Sequence, residues 1–282
     1  MRSATTAFLW LITTVLLAVA LPAAWVQLHV IDRNGYSALA RQAATDPQLQ
    51  SAMAAELTAQ VGRLSSTADS TAVSPIARLY TAGSAFPAQF GQANAFAHRW
   101  LFTGTVGSGV DEQGRWVIDF APMLSDAAFA QTLRDYGISV PASVPIPLTD
   151  AASPAVRPGA LREIGMWWPW ATIAAGALAA VAALLMLTAA PSRGKGVAAL
   201  GVSALLVGGL GWAAMELGQS YLNRALNGTS GSVRTVADAM VSTARDSMHQ
   251  WLNVTLIAGG GLILVGVIVA LLTGLSRPVG GR

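Results

Sequence analysis

Residues 252–275 read LNVTLIAGGGLILVGVIVALLTGL, an apolar run without one charged side chain. At about 1.5 Å per residue, a helix of about 20 such residues crosses a hydrocarbon core of about 30 Å. Three further stretches share this property: 7–28, 166–190 and 197–215. The remaining apolar stretches are broken every few residues by Arg, Asp, Gln or Pro, so the expectation is four transmembrane helices and no fifth. The composition of the whole chain agrees: of 282 residues, 53% are hydrophobic and 11% charged, against about a quarter charged in an ordinary soluble domain. That excludes a simple soluble globule. The 28 glycines follow no three-residue period, which excludes a collagen-like chain, and the apolar fraction excludes a disordered one. With no cysteine, a disulfide framework, a zinc ribbon and a thiol nucleophile are excluded too.

The charges predict an orientation. Arg2, Arg193, Lys195, Arg277 and Arg282 occupy the termini and the 191–196 turn, and no acidic residue shares those places. All fourteen Asp and Glu lie in the other loops. By the positive-inside rule both termini and the 191–196 turn are cytoplasmic, with 29–165 and 216–251 outside. Trp25, Trp167, Trp168, Trp170, Trp212 and Trp251 fall at the expected outer boundary and Trp10 at the inner one, where an amphipathic indole prefers to sit. An alternative for the first span is a cleaved signal peptide, since Arg2 precedes the apolar run and Ala18-Val19-Ala20 has small residues at peptidase spacing. The large loop is outside under either reading.

The domain order follows: TM1 to residue 28, an extracytoplasmic domain over 29–165, TM2 over 166–190, a turn over 191–196, TM3 over 197–215, an outer helical hairpin over 216–251, TM4 over 252–275 and a tail over 276–282. The fold class is mainly α, and the outer domain is expected to be mostly helical with a minor two-stranded element. Asn34-Gly35 reads as a turn. Asp46-Pro47 reads as a helix start, from which Leu49, Met53, Leu57, Val61 and Leu64 form one apolar stripe. Ser74-Pro75 repeats that signal, with Ile76, Leu79 and Tyr80 on one face, and Pro87 kinks or restarts the helix. Residues 116–120 alternate as a half-buried strand, and 144–148 form an edge strand because of Pro145 and Pro147. Ser125-Asp126 caps a helix that Gly137 stops, and 153–159 tethers the domain to the second span. In the hairpin, Val233, Val236, Met240, Ala244 and Met248 line the second helix.

Signatures of chemistry are sparse. Of the three histidines, only His249 has a carboxylate at helical spacing within a stretch that clearly reads as a helix, Asp246, and a solvated surface pair accounts for it. Gly107-Ser108-Gly109 and Ser230-Gly231-Ser232 miss the nucleophile-elbow spacing, and Gly194-Lys195-Gly196 is not a phosphate loop. Asp111, Glu112 and Asp119 read as turn and strand acids. Outside, twelve arginines face fourteen acids, so no basic stripe is expected to bind nucleic acid. No catalytic, cofactor or metal site is therefore expected. No ionisable group lies within the spans, which argues against transport by this chain alone. Small residues do recur four apart, Ala171, Ala175, Ala179 and Ala183 on the second span and Gly266, Ala270 and Gly274 on the fourth. Such rows are candidates for helix packing. The aromatic set Phe86, Phe90, Phe96, Trp100 and Phe102 is a candidate apolar binding surface.

The chain resembles a group of uncharacterised integral membrane proteins from actinobacteria. The likeness is carried by Trp25-Val26-Gln27, Asp32-Arg33-Asn34-Gly35-Tyr36, Asp46-Pro47, Val117-Ile118-Asp119-Phe120-Ala121-Pro122 and Ala244-Arg245-Asp246-Ser247. It implies a multi-pass plasma-membrane protein of an actinobacterial envelope and brings no activity or catalytic residue with it. The expected function is a non-enzymatic, membrane-anchored scaffold or accessory subunit with the lipid bilayer and a protein partner or second copy as its contacts. Alternatives are a subunit of a transport or secretion assembly, a module binding lipid or wall precursor, and an envelope hydrolase.

Overall fold

The computed structural model describes residues 2–64, 70–103, 159–226 and 231–275, with short strands at 109–110, 116–119 and 145–147. The helix expected after Ser125, most of the 153–159 tether, the 228–230 turn and the 276–282 tail lie outside the described residues. Eight α-helices are described. They are α1 (Arg2–Val26), which runs into a π-helical turn (Gln27–Ile31), α2 (Arg33–Ala43), α3 (Pro47–Leu64), α4 (Ser70–Thr81), α5 (Phe86–Thr103), α6 (Arg162–Ala189), α7 (Arg193–Leu226) and α8 (Gly231–Leu275). Strands β1 (Gly109–Val110), β2 (Trp116–Asp119) and β3 (Pro145–Pro147) form one antiparallel sheet in that order, with Ile118 opposite Ile146. The sheet has three strands where two were expected. The prolines of β3 sit at its edge, where a missing N–H is tolerated.

Four helices are long and apolar enough to cross a membrane: Ala4–Ile31, Arg162–Ala189, Arg193–Gly218 and Gly231–Thr273. Their apolar side chains point outward, among them Val15, Val19, Leu184, Leu264, Ile268 and Leu272. A soluble protein rarely exposes apolar surface so continuously, whereas lipid covers it. The expected hairpin over 216–251 is the continuation of two of these helices. α7 is 34 residues long and α8 is 45, both well beyond the bilayer requirement.

The chain divides into two compact units. The first comprises Met1–Gln27, Trp168–Tyr221 and Arg245–Arg282. Within it, α7 and α8 approach closely through glycines. A Cβ on Gly201 would lie 2.6 Å from the Gly259 carbonyl oxygen, and one on Gly194 2.5 Å from the Ala270 nitrogen. A Cβ on Gly266 would lie 2.7 Å from the Gly194 carbonyl oxygen and closer still to the Ala198 nitrogen. These atoms are backbone and cannot swing aside. Gly194 and Gly201 are seven residues apart, as are Gly259 and Gly266, a spacing that keeps a seam aligned along a left-handed crossing. The row containing Gly266 and Ala270 thus packs, but it continues through Gly259. The surroundings of Gly274 lie outside the described residues.

On α6 the four-residue row does not hold as one contact line. Ala171 is exposed, Ala175 half-buried and Ala179 buried, and the buried face is Ala179, Ala182 and Met186. The reason is geometric: a four-residue step overshoots a 3.6-residue turn by about 40°, so repeated fours rotate off the seam.

Polar side chains add hydrogen bonds between the helices. Thr14 and Ser203 hydroxyls meet at 2.8 Å, Trp10 Nε1 donates to the Ala199 carbonyl at 3.0 Å, and Thr6 Oγ1 donates to the Ala189 carbonyl at 3.1 Å. Such bonds average about 0.6 kcal/mol each in membranes.

The second unit comprises Leu28–Trp167 and Leu222–Ala244. Its core is Ala40, Ala43 and Ala44 of α2 and the turn after it, Leu49 and Met53 of α3, Phe86 and Phe90 of α5, and Ala239 of α8, with Tyr80, Ala93, Val236 and Met240 packed around them. The Asp46 carboxylate accepts the Gln48 amide at 2.6 Å, the expected cap. Leu49, Met53, Leu57 and Val61 are all buried.

Two expectations are corrected here. α4 starts at Ser70, and its buried residues include Val73 and Ala77, while Leu79 is 77% exposed. Asn34-Gly35 is the first turn of α2 and no turn of its own, because Asp32 caps that helix by accepting the Gly35 amide at 2.8 Å. Only glycine fits there. A Cβ would lie 2.8 Å from the Leu28 carbonyl carbon and closer to its oxygen.

Candidate functional site

A charged cleft lies within the second unit. Ile31 at the end of the π-helical turn, Arg33 on α2, His98, Arg99 and Phe102 on α5, and Arg162 and Met166 on α6 contribute to a cleft of about 710 Å³. Two backbone hydrogen bonds build it. Gly159 N–H donates to the Trp100 carbonyl and Leu161 N–H to the Leu101 carbonyl, both at 3.0 Å. They satisfy carbonyls in the last turn of α5, which lack partners within the helix, and bring Arg162 beside Arg99 and Phe102. Gly159 has φ +68°, a left-handed conformation that favours glycine. Gly165 leaves room for the Phe102 ring, since a Cβ there would lie 2.7 Å from its Cδ1.

His98 is a structural clamp in the wall of this cleft. Its Nε2 lies 2.9 Å from the Val30 carbonyl oxygen, so Nε2 carries the proton and donates. Its ring stacks on Phe102 with centroids 4.2 Å apart and tilts against Tyr36 at 5.3 Å. Burial raises the Tyr36 phenol above its ordinary value. Burial also holds the His98 imidazole below its ordinary 6.5, with Arg33 acting the same way and the Val30 and Ile31 carbonyls and Asp32 opposing. An unfolded chain therefore protonates this side chain more readily than the folded one. The stabilisation is complete above about pH 6.5 and is lost as pH falls below it. The melting temperature of the full-length protein in detergent is expected to fall between pH 7.5 and 5.5. His98→Gln, which keeps an N–H for Val30, should flatten that fall, and an unchanged pH dependence would assign it to other groups.

The aromatic candidates do not line one cavity. Phe86 and Phe90 are spent in the core, Phe86 edge-on to Tyr80 at 5.8 Å. Trp100 is buried, Phe96 faces the Arg99 guanidinium at 5.7 Å, and Phe102 alone of the five lines the cleft. Within the first unit, His249 stacks on Trp212 with centroids 3.9 Å apart, and Trp212 Nε1 donates to Asn253 Oδ1 at 3.2 Å. Asp246 is exposed and makes no ion pair with His249 among the described residues. Trp25 Nε1 donates to Ser247 Oγ at 3.2 Å and Trp168 Nε1 to the Ala23 carbonyl at 3.3 Å.

The arginines of the cleft escaped the sequence reading. They stand at positions 33, 99 and 162, each an ordinary surface residue in a chain whose basic residues are nearly all arginine. Among the described residues no group of three His, Asp or Glu converges as a metal site. No protein-family model, curated protein or solved structure matches the chain.

Proposed function

We propose that the protein is a non-enzymatic, membrane-anchored scaffold or accessory subunit of an actinobacterial cell envelope, with both termini cytoplasmic. Its outer domain, built from 29–165 together with part of 216–251, binds a protein or envelope component. The observation that supports this best is the shared core. Val236, Ala239 and Met240, which follow the third apolar stretch, pack with residues of α2, α3 and α5, which follow the first. Segments that share a core lie on one side of a bilayer, and an even number of crossings between them satisfies that. The Thr6 bond to the Ala189 carbonyl fits the same order, joining the start of α1 to the end of α6. The charge-free spans supply anchoring and contact surface. Positive-inside placement then puts the core outside.

Chemical crosslinking in intact cells followed by mass spectrometry tests the role. Crosslinks from the outer domain to one envelope protein, retained in Trp10→Phe and lost on proteolytic removal of the outer domain, are expected. Self-crosslinks alone would contradict the accessory role.

A further inference from the structure

We propose that the cleft bounded by Arg33, Arg99 and Arg162 holds the phosphate headgroup of an anionic membrane lipid. Among the described residues of its wall stand three arginines and no carboxylate, and none of the three is in an ion pair. Elsewhere in the molecule arginines do find acids: Arg234 pairs with Asp238 at 2.9 Å and Arg245 with Glu216 at 3.0 Å. Like charges gathered in one cleft repel, and an anion relieves this. The planar fork of arginine matches phosphate oxygens, and charge-assisted bonds of this kind are about twice as strong as neutral ones.

The rest of the wall favours a lipid over a free anion. Ile31, Phe102 and Met166 add apolar side chains to the lining. Ile31 closes the first apolar helix, and Met166 lies near the start of the second. Ile31 and Met166 thus adjoin, along the chain, the segments proposed to enter hydrocarbon, which suits an acyl chain attached to a bound headgroup. Charged and apolar side chains in one lining suit an interfacial ligand. His98, fixed through Val30 and stacked on Phe102, holds that ring in place.

The inference rests on the membrane placement above and is independent of the scaffold role. Full-length protein is purified in detergent and titrated with phosphatidylglycerol, phosphatidylcholine or inorganic phosphate, and bound molecules are counted by native mass spectrometry. The wild type should prefer phosphatidylglycerol to phosphatidylcholine. Combining Arg33→Gln, Arg99→Gln and Arg162→Gln should weaken phosphatidylglycerol at least about tenfold, as loss of charge-assisted contacts implies, with each single change giving a smaller loss. The same number of charges removed by Arg41→Gln, Arg78→Gln and Arg234→Gln should leave the preference intact. Equal weakening by the two triples, or no preference in the wild type, would overturn the proposal. Inorganic phosphate held at the same arginines without lipid preference would assign the cleft to a soluble anion and overturn it as well. A failed membrane placement shows separately, as protein that stays monodisperse without detergent.

Discussion

Phe86→Ala is expected to cost the second unit about 3–5 kcal/mol, the usual range for removing a buried phenylalanine. Phe86 is fully buried at 0% exposure, edge-on to Tyr80 and 5.7 Å from Phe90. Its neighbours in the core include Ala40, Ala43, Ala44 and Ala239. Alanine has no rotamer that reaches into a cavity, so the site collapses poorly and the cost falls toward the upper end. Against a typical domain stability of about 5–15 kcal/mol, that is a large fraction. Limited trypsin digestion of the full-length protein in detergent reads it. Arg41 and Arg78, on helices of this unit, should become cleavable at a temperature where the wild type resists. Leu79→Ala, one residue from Arg78 and 77% exposed, should change little. Equal protection of Phe86→Ala and wild type would mean that the core does not depend on this ring.

The second large effect concerns the glycine seam. Gly266→Ala adds one methyl where the backbone of α7 already stands, 2.7 Å from the Gly194 carbonyl oxygen. Overpacking costs about 1–3 kcal/mol where side chains can yield, and here the helices must separate. The loss is expected at the top of that range, with Gly201→Ala and Gly259→Ala similar. Gly260 and Gly261 are internal controls, since a Cβ on either meets nothing within 4 Å. The midpoint of unfolding in mixed micelles should drop for the first three variants and hold for the other two. A drop of the same size in Gly260→Ala would show that glycine content, and not close approach, sets the stability.

What could be read in the chain followed from how local each signal is. The apolar stretches 7–28, 166–190, 197–215 and 252–275 are visible because each excludes charge over its whole length, and α3 because Asp46 and Pro47 stand together ahead of a stripe repeating at four, four and four. The shared core was not visible. The Val236 and Met240 stripe announces a helix with a buried face but not what buries it, and the partners lie at Ala43, Leu49 and Phe86. The same limit hid the cleft, which gathers three arginines from three distant helices. Asn34-Gly35 reads as a turn because Asn-Gly is a turn signal, whereas the close approach of the Leu28 carbonyl requires the glycine within a helix. The five aromatic residues lie near one another in sequence, but along α5 they point in several directions, and two of them fill the core.

The proposed topology puts the loops at 29–165 and 216–251 on one face of the membrane and the 191–196 turn on the other. The chain contains no cysteine, so single cysteines report without background. Leu79→Cys and Val233→Cys, both at exposed positions, should react with a membrane-impermeant maleimide in intact cells, and Lys195→Cys only after permeabilisation. Labelling of Lys195→Cys in intact cells at the rate of the other two, or Leu79→Cys and Val233→Cys reporting opposite faces, would contradict it.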